Sequence, residues 1–258
     1  MNTQGFPNLG NTCWLNSLLQ LLLNNKFFCA ALRRMGDGKR TRALKSLADA
    51  RGSLPDLVEI LRACGQQGTP EDSHEAFMRL LNILHEENKV PIRTDTTMSQ
   101  QVAKHSENFT SLPLALFQGV FRYENSDREE IFEPFTTFFL ESSRDAVYDV
   151  QKQLAVTFRK REIVKVPALL MICFEQFSGE FSMISEFDLT DAEGKPCRYK
   201  CTGFVVHCGS SVGGHYFAVC KTGHGWMTFD DNSVMPYNPA TVSLRGCTPR
   251  LVLFSRKG

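Results

Sequence analysis

The spacing of the apolar residues changes part-way along this chain of 258 residues. From Thr12 to about residue 88 they recur every three or four positions, as in the stripe made by Trp14, Leu18 and Leu22, which predicts helices. Beyond a polar loop at about 89–110 they alternate or stand in short runs, which predicts strands. Helices first and strands later favour an α+β fold with two lobes and a cleft between them.

The predicted strands are the short apolar runs of the second half. They cover 116–123, 131–140, 168–174, 204–207, 216–220 and 251–254. A single helical pattern, at 146–154, interrupts them. The sequence shows neither an internal repeat nor a linker rich in Pro or Ser, so we expect one domain.

Composition narrows the class of protein. With 42% hydrophobic and 22% charged residues the chain can bury a sizeable core, which excludes disordered and low-complexity classes. The net charge of +1 gives no reason to expect a nucleic-acid or acidic-membrane partner. We interpret the basic stretch at 33–45 as a solvated loop and helix face because it lacks interleaved aromatic residues.

Cysteine usage and the start of the chain bear on the compartment. The count of nine cysteines is odd, and the first residues lack the basic and apolar regions of an export signal. We therefore expect reduced thiols in a cytoplasmic or nuclear protein. The most apolar run, 18–23, is far shorter than the roughly 20 residues that a bilayer span needs, so no membrane partner is expected.

Cys13 stands where a loop rich in Gly, Asn and Pro enters an apolar helix. Thr12 is the predicted N-cap, which places Cys13 in the first helical turn. The helix dipole and the free amides of that turn stabilise a thiolate, so Cys13 is positioned to be a nucleophile. A buried, inert cysteine is the alternative that the loop alone leaves open.

A histidine and two acidic residues complete a possible catalytic set. His215 follows a glycine-rich loop and opens the apolar run 216–220, and fifteen residues later come Asp230 and Asp231. That distance suits a hairpin whose second strand returns beside the first and brings a carboxylate next to the imidazole. A cysteine nucleophile needs such a base, and the base needs an acceptor that orients its ring.

Two long motifs carry a resemblance to a known family. The first is NLGNTC at 8–13, which leads into the helical sequence WLNSLLQ; the second is GHY at 214–216 followed by WMTFDDNS at 226–233. In this order they resemble the Cys box and the His box of the ubiquitin-specific protease family of deubiquitinases. Weaker matches, at 72–75 and 251–254 among others, extend the resemblance over nearly the whole chain.

The resemblance implies catalytic roles at five positions. Cys13 would be the nucleophile, His215 the general base and then acid, and Asp230 the residue that orients His215, with Asp231 a close competitor. Asn8 matches the position whose side-chain amide joins the Cys13 backbone amide in binding the oxyanion. A loop-shaping turn is the alternative role for Asn8.

The implied reaction is thiol-dependent hydrolysis of peptide and isopeptide bonds after the C-terminal glycine of ubiquitin, with no cofactor or metal. Asp72 and Glu75, at i and i+3 on one helix face, would receive the arginine of the ubiquitin tail. A charge pair that only favours the helix dipole is the alternative. The predicted substrate-binding residues are Asp72, Glu75, Gly213, Gly214 and Tyr216.

The implied fold is that of a papain-like cysteine peptidase: a single domain with a helical thumb at about 1–110, fingers at about 111–165 and a β-rich palm at about 166–258. The family's Cys-x-x-Cys pairs are missing, so we expect truncated fingers without zinc and weaker recognition of the ubiquitin body. Another group of potential metal ligands is interpreted as separate buried side chains. It consists of Cys197, Cys201, His207 and Cys208.

The expected partners are ubiquitin or a ubiquitin-like protein and its conjugates, bound by a monomeric catalytic domain. Two alternatives remain open at this stage. The chain could be a protease for another ubiquitin-like modifier, or a catalytically silent module that binds ubiquitin. A silent module would usually have lost Cys13, His215 or Asp230, and all three are present.

Overall fold

A computed structural model of the chain describes residues 4–49, 52–140, 161–174, 185–210, 213–238 and 247–257. Seven helices lie in these ranges, most of them in the first third of the chain, as predicted. They are α1 (Cys13–Leu23), α2 (Lys26–Arg34), α3 (Lys39–Ala48), α4 (Leu54–Cys64), α5 (Ser73–Asn88), α6 (Thr97–His105) and α7 (Leu112–Phe117).

The strands follow, with two short exceptions, from residue 119 onward. They are β1 (Val90–Pro91), β2 (Phe109–Thr110), β3 (Gly119–Glu124), β4 (Glu130–Phe135), β5 (Thr137–Leu140), β6 (Glu162–Lys165), β7 (Leu169–Phe174), β8 (Glu186–Thr190), β9 (Pro196–Ser210), β10 (Gly213–Thr222), β11 (Gly225–Asp230), β12 (Ser233–Pro236) and β13 (Cys247–Arg256).

The strands form one large sheet and two small ones. The large sheet has the order β12-β11-β10-β9-β13-β7-β5, with β8 paired to part of β9. All its pairs are antiparallel except β5 with β7. A separate three-stranded sheet has the order β4-β3-β6, and β1 pairs with β2. The predicted hairpin that joins the strand of His215 to the strand of Asp230 is present as β10 and β11.

The large sheet carries an apolar layer on each face. Phe204 and Phe254 belong to one buried cluster, whereas their chain neighbours Val205 and Leu253 belong to another that includes the helices. Adjacent residues diverge in this way because successive side chains of a strand point to opposite faces.

Helix α1 lies between the sheet and the other helices, next to β10 and α5, and all 11 of its residues are buried. Each fully buried leucine contributes about 1.5–3 kcal/mol, so α1 is firmly anchored.

One predicted strand is shorter than expected, and one predicted helix lies outside the residues that the structure describes. The strand predicted at 116–123 begins only at Gly119, because α7 occupies the residues before it. The Ser111 hydroxyl accepts a hydrogen bond from the Leu114 amide, and Pro113 stands in the first turn, both of which favour a helix start. The helical pattern at 146–154 lies outside the described residues.

The cysteines also depart from the prediction. Cys208 and Cys247 form a disulfide between β9 and β13 with a Cα–Cα distance of 4.1 Å, so the interpretation of Cys208 as a separate reduced thiol is wrong. The register pairs these residues directly across the two strands, a proximity that periodicity cannot reveal. Cys197 and Cys201 are free and buried, as expected. The His207 ring lies 4.5 Å from that of Tyr216.

None of the helices in the described ranges combines the length and the apolar character that crossing a membrane would require.

Candidate active site

Cys13 is the first residue of α1 and is 7% exposed. The amides of Leu15 and Asn16 donate to the Thr12 carbonyl at 3.0 Å, whereas the amides of Cys13 and Trp14, at the very start of the helix, have no intrahelical acceptor. Thr12 occupies the predicted N-cap position, but its hydroxyl does not cap the helix. It accepts instead from the Leu9 amide at 2.9 Å and thereby stabilises the preceding loop.

His215 and Asp230 face each other from the two strands of the β10–β11 hairpin. The distance from His215 Nε2 to Asp230 Oδ1 is 2.5 Å. Asp230 is the last residue of β11, where the strand gives way to a turn, and both side chains are about 43% exposed. The ring is therefore oriented by a carboxylate while one edge stays open to the cleft.

His215 also contacts the nucleophile candidate. A hydrogen bond with Cys13, together with the bond to Asp230, raises the pKa of His215 to about 9, while its partial burial acts in the opposite direction. Because Asp230 occupies Nε2, Nδ1 is the ring nitrogen left for Cys13. A neighbouring carboxylate and a hydrogen-bond partner of the charged ring both favour the imidazolium form of His215.

Asp231 serves a different set of partners. Its carboxylate accepts from the side-chain amides of Asn8 at 2.8 Å and of Asn16 at 2.7 Å. Its carbonyl accepts from the Phe6 amide at 2.9 Å, and its φ of 48° lies in the left-handed region. Asp230 therefore contacts the imidazole, while Asp231 ties the β11–β12 turn to the loop that precedes Cys13.

The hydrogen bonds of Asn8 are compatible with both roles considered for it, which are shaping the loop and binding an oxyanion. Its Oδ1 accepts from the Gly10 amide at 3.0 Å and from the Thr12 amide at 3.3 Å, which shapes the loop. Its Nδ2 donates to Asp231. An amide nitrogen carries two hydrogens, so this bond orients the group and leaves a second donor for a substrate oxygen.

The N-terminal loop approaches the turn closely at Gly5. A Cβ at this position would lie 2.3 Å from the Asp231 carbonyl oxygen and 2.6 Å from the Asn232 backbone. Only a glycine allows the two backbones to meet here. Asn16, which is buried in α1, adds a bond from the helix to the same carboxylate.

Gly213 and Gly214 pair with the end of β9 immediately before His215. A Cβ on Gly214 would lie 2.3 Å from His207 Nε2 and 2.6 Å from the Cys208 carbonyl oxygen. Nothing lies within 4 Å of the corresponding point on Gly213. Gly214 is therefore required for the close approach of β9 to β10, whereas the space around Gly213 does not demand a glycine.

Asp72 has more partners than the sequence suggested. It is the N-cap of α5, with Oδ1 accepting from the amides of His74 and Glu75. Its Oδ2 accepts from Arg250 Nε at 2.8 Å and from the Tyr216 hydroxyl at 3.2 Å. Burial alone would raise the pKa of Asp72, but the bond and charge of Arg250 outweigh it and lower that pKa.

The prediction that Asp72 shares a helix face with Glu75 is therefore wrong, because an N-cap residue lies outside the helix and turns its side chain to the first amides. Glu75 itself is in the first turn, with a side chain that is 61% exposed. It pairs with Arg79 at 3.0 Å, one helical turn further on.

The group of potential metal ligands found in the described part of the chain coincides with this site. The ligand atoms of His215, Asp230 and Asp231 lie within 4.8 Å of one another. Hydrogen bonds between His215 and Asp230 and from Asn8 and Asn16 to Asp231 already engage these side chains.

Comparison with known proteins places this geometry in a family. The profile described as ubiquitin carboxyl-terminal hydrolase matches residues 4–250. The chain belongs to this family. The two ends of the match enclose both halves of the site, from the loop before Cys13 to Arg250.

Curated relatives of this chain have the same family name. The chain is 23% identical over 295 residues to the probable ubiquitin carboxyl-terminal hydrolase 16 of Schizosaccharomyces pombe, covering 90% of this chain and 63% of the relative. It is 26% identical over 297 residues to ubiquitin carboxyl-terminal hydrolase 23 of Arabidopsis thaliana, covering 92% of this chain and 34% of that one. The chain thus spans between a third and two thirds of these relatives.

Solved structures share the fold. The SAGA Ubp8/Sgf11/Sus1/Sgf73 DUB module matches with a TM-score of 0.74 at 18% identity, over 99% of this chain and 68% of that one. The SAGA DUB module bound to monoubiquitin matches with a TM-score of 0.74 at 16% identity, over 99% and 69%. The papain-like α+β fold expected for this hydrolase is confirmed.

Three contributors to the site were missed by sequence reasoning. Asn16 and Arg250 were assigned no role, and Asp231 was considered only as a partner of His215. Asn16 lies in the helical sequence that follows the nucleophile candidate, and the available signal was that it is one of three polar residues, with Ser17 and Gln20, in a largely apolar helix. No local pattern connects Arg250 to Asp72, 178 residues earlier.

Proposed function

We propose that this ubiquitin carboxyl-terminal hydrolase is an active thiol-dependent deubiquitinase that cleaves peptide and isopeptide bonds after the C-terminal glycine of ubiquitin. The observation that carries the proposal is the position of His215, whose Nε2 lies 2.5 Å from Asp230 Oδ1 and whose pKa is raised first of all by its interaction with Cys13. The matching structure of a DUB module bound to monoubiquitin supports the substrate class.

In the first half of the reaction, the Cys13 thiolate attacks the glycine carbonyl carbon and a C–S bond forms. The carbonyl electrons move to oxygen, and the resulting oxyanion accepts hydrogen bonds from the Cys13 amide and Asn8 Nδ2. The intermediate then collapses, the C–N bond breaks, and the His215 imidazolium gives its proton to the departing amine. An oxyanion donor of this kind contributes about 10²–10³ in turnover.

In the second half, neutral His215 takes a proton from water, and the hydroxide attacks the thioester carbon. The second intermediate collapses with cleavage of the C–S bond, which releases the ubiquitin tail as a carboxylic acid and restores the Cys13 thiolate beside the imidazolium. The acid then gives its remaining proton to the solvent and becomes the carboxylate. Asp230 accepts a hydrogen bond from His215 throughout and stabilises its charged form.

Glu75 is the better of the two acidic candidates for the arginine of the ubiquitin tail. Its carboxylate is exposed and pairs only with the exposed Arg79 among the described residues, so an incoming guanidinium can share it. Asp72 is already matched by Arg250. We therefore assign Asp72 to the support of Arg250 and Tyr216, and Glu75 to direct recognition of the tail.

The short sheet β4-β3-β6 corresponds in this proposal to the fingers that hold the ubiquitin body. Its described strands are four to six residues long, and the chain has no cysteine between Cys64 and Cys173 that could bind zinc there. We expect the tail to supply most of the recognition. Similar cleavage rates for full-length ubiquitin and a tail-only peptide would support this, and a strong dependence on the body would contradict it.

The decisive experiment uses ubiquitin with an electrophile in place of its C-terminal carboxylate. We expect the wild type to form a covalent adduct and Cys13→Ala to form none. Cys29→Ala is a matched control, because Cys29 is also a buried free thiol but lies on α2. An adduct that survives Cys13→Ala would contradict the proposal.

The same experiment separates the alternatives. Faster labelling by a probe built on another ubiquitin-like protein would indicate a protease for that modifier. Binding of ubiquitin without any adduct, in a protein whose thermal unfolding shows that it is folded, would indicate a silent binding module.

A further inference from the structure

We propose that a basic pocket on the side of the domain away from Cys13 binds an acidic segment of a partner protein that also carries an apolar side chain. The pocket lies at the far ends of α1 and β10, the two elements whose near ends carry Cys13 and His215. Helix α1 has 11 residues, which at about 1.5 Å per residue separates pocket and nucleophile by about 16 Å. A partner bound here leaves the cleft free for substrate.

The pocket is a cavity of about 490 Å³, within the range of sites that enclose a small ligand or a few side chains. Its charged walls come from four elements that are distant in sequence: α2, β9, β10 and β13. The basic residues that line it are Lys26, Lys200, Lys221, Arg256 and Lys257.

These charges are mostly uncompensated. Within the described ranges, an ion pair of 4 Å or less is found for Lys257 alone, with Glu186 at 3.2 Å. Glu186 also acts on Lys200 through space. One carboxylate at the edge thus faces five cations, and a concave surface lined by one sign of charge concentrates its field on a ligand of the opposite sign.

The basic stretch at 33–45 shows what a compensated surface looks like in the same protein. Arg33 pairs with Asp49, Lys39 pairs with Glu59, and Lys45 pairs with Asp37. The stretch that stands out in sequence is therefore largely neutralised. The pocket does not stand out in sequence, and among the residues that the structure describes most of its cations have no ion-pair partner.

The pocket also has an apolar wall and a preformed polar floor. Phe27 is 39% exposed at the rim, with the Lys26 ammonium 5.0 Å from its ring centre. In the floor, Asn25 Nδ2 donates to Thr202 Oγ1 at 3.0 Å and to Ser255 Oγ at 2.9 Å. Asn25 Oδ1 caps the first amides of α2, so the side-chain cations, and not the helix terminus, carry the attraction.

The combination of dispersed cations with one exposed apolar ring favours a peptide ligand over a nucleic acid. A single-stranded nucleic acid follows an open groove with cations along it and aromatic platforms for successive bases. Phe27 is the one exposed aromatic ring among the described residues that line the pocket, so it offers no series of platforms for successive bases. Carboxylates spaced around one apolar side chain match cations spaced around Phe27, and such charge complementarity provides selectivity and speeds association.

The test measures the binding of a fluorescent peptide of glutamates around a central leucine, by anisotropy at low salt. Lys26→Glu/Lys221→Glu reverses two exposed pocket charges, and a glutamate is well tolerated in the first turn of α2. Arg34→Glu/Arg42→Glu is the matched control, since it changes the net charge equally on the stretch at 33–45. Thermal unfolding establishes that each variant is folded, and Lys26→Gln/Lys221→Gln replaces the reversal if that variant is not.

We expect the wild type and the control to bind equally and the pocket variant to lose at least about tenfold in affinity. Phe27→Ala should weaken the binding of the peptide several-fold and leave the binding of inorganic tripolyphosphate unchanged. This result would distinguish a peptide site from a site for small polyanions. Equal affinities in all variants, an equal loss in both charge reversals, or tighter binding of a single-stranded oligonucleotide would overturn the proposal.

Discussion

The two sides of the active site are built by different means. The strand side consists of β10 and β11, where continuous antiparallel pairing brings His215 to Asp230. The helix side consists of Cys13 and the loop before it. The thiol is held by the burial of α1, and the loop by the Gly10 and Thr12 amides, which donate to Asn8 Oδ1. Backbone pairing aligns the proposed base, His215, whereas polar side chains align the proposed oxyanion donor, Asn8.

Asp231 joins these two sides. It follows Asp230 on the strand side, yet its bonds reach Asn8, Asn16 and Phe6 on the helix side. Two adjacent carboxylates thus have separate tasks: Asp230 orients the imidazole, and Asp231 keeps the loop against the hairpin. The following predictions test that division.

The largest effect should follow from Asp230→Asn. Loss of the orienting carboxylate leaves the imidazole in the wrong tautomer and its charge unsupported, so we expect kcat on a fluorogenic ubiquitin substrate to fall by about 10⁴-fold. Asp231→Asn retains the His215–Asp230 bond and should cost only about tenfold. An equal loss in both variants would show that the two carboxylates do not have separate tasks.

On the helix side, Asn8→Ala should lower kcat by about 10²–10³ with little change in KM, because the lost donor acts only on the oxyanion. Gln67→Ala is the control. Gln67 donates to the Leu9 carbonyl in the same loop but lies outside the reacting atoms, so its removal should cost no more than a few-fold. If Asn8→Ala instead raised KM and left kcat unchanged, the role of Asn8 would be to maintain the shape of the loop.

The strand side has a covalent clamp that the helix side lacks among the described residues. The Cys208–Cys247 disulfide closes a loop of 39 residues that contains β10, β11 and β12. Cys247→Ser should lower the free energy of unfolding by about 2–4 kcal/mol in urea titration. A reducing agent should lower the wild-type midpoint and leave that of the variant unchanged; an insensitive wild type would argue against the clamp.

The pH dependence of kcat/KM tests the two sides together, because Cys13 on the helix side and Asp230 on the strand side both raise the pKa of His215. The hydrogen bond with Cys13 and the carboxylate of Asp230 raise the pKa of His215 above the ordinary histidine value of about 6.5. The imidazolium is therefore fully present below about pH 6.5. It is lost as the pH rises through about 9. We expect kcat/KM to decline on a basic limb near pH 9, measured at constant ionic strength. Asp230→Asn should move the limb to lower pH, and an unmoved limb would contradict the assignment.

Local sequence patterns predicted much of the fold. Helical spacing up to residue 88 and period-two runs beyond residue 119 correspond to the helices and the sheets, because amphipathic periods report which face of an element is buried. The strand at 116–123 was partly wrong because Ser111 and Pro113 start a helix at its edge. Cap chemistry there outweighed the apolar run.

The candidate site was only partly predictable. Cys13, His215 and Asp230 stand in contiguous motifs, and the fifteen residues between the last two allow a hairpin. The bonds of Asp72 to Arg250 and of Asp231 to Asn16 join residues 178 and 215 positions apart. Their mutual orientation depends on sheet register and helix packing, which no local pattern encodes.

The sequence by itself determined the order of helices and strands and the identity of the reactive side chains, because periodicity, turn residues and motif spacing are short-range properties. Only the tertiary structure decided how Asp231 is bonded, that Cys208 meets Cys247, and where five dispersed cations form one pocket. These are side-chain encounters between distant segments, and their energies arise only after the chain has packed.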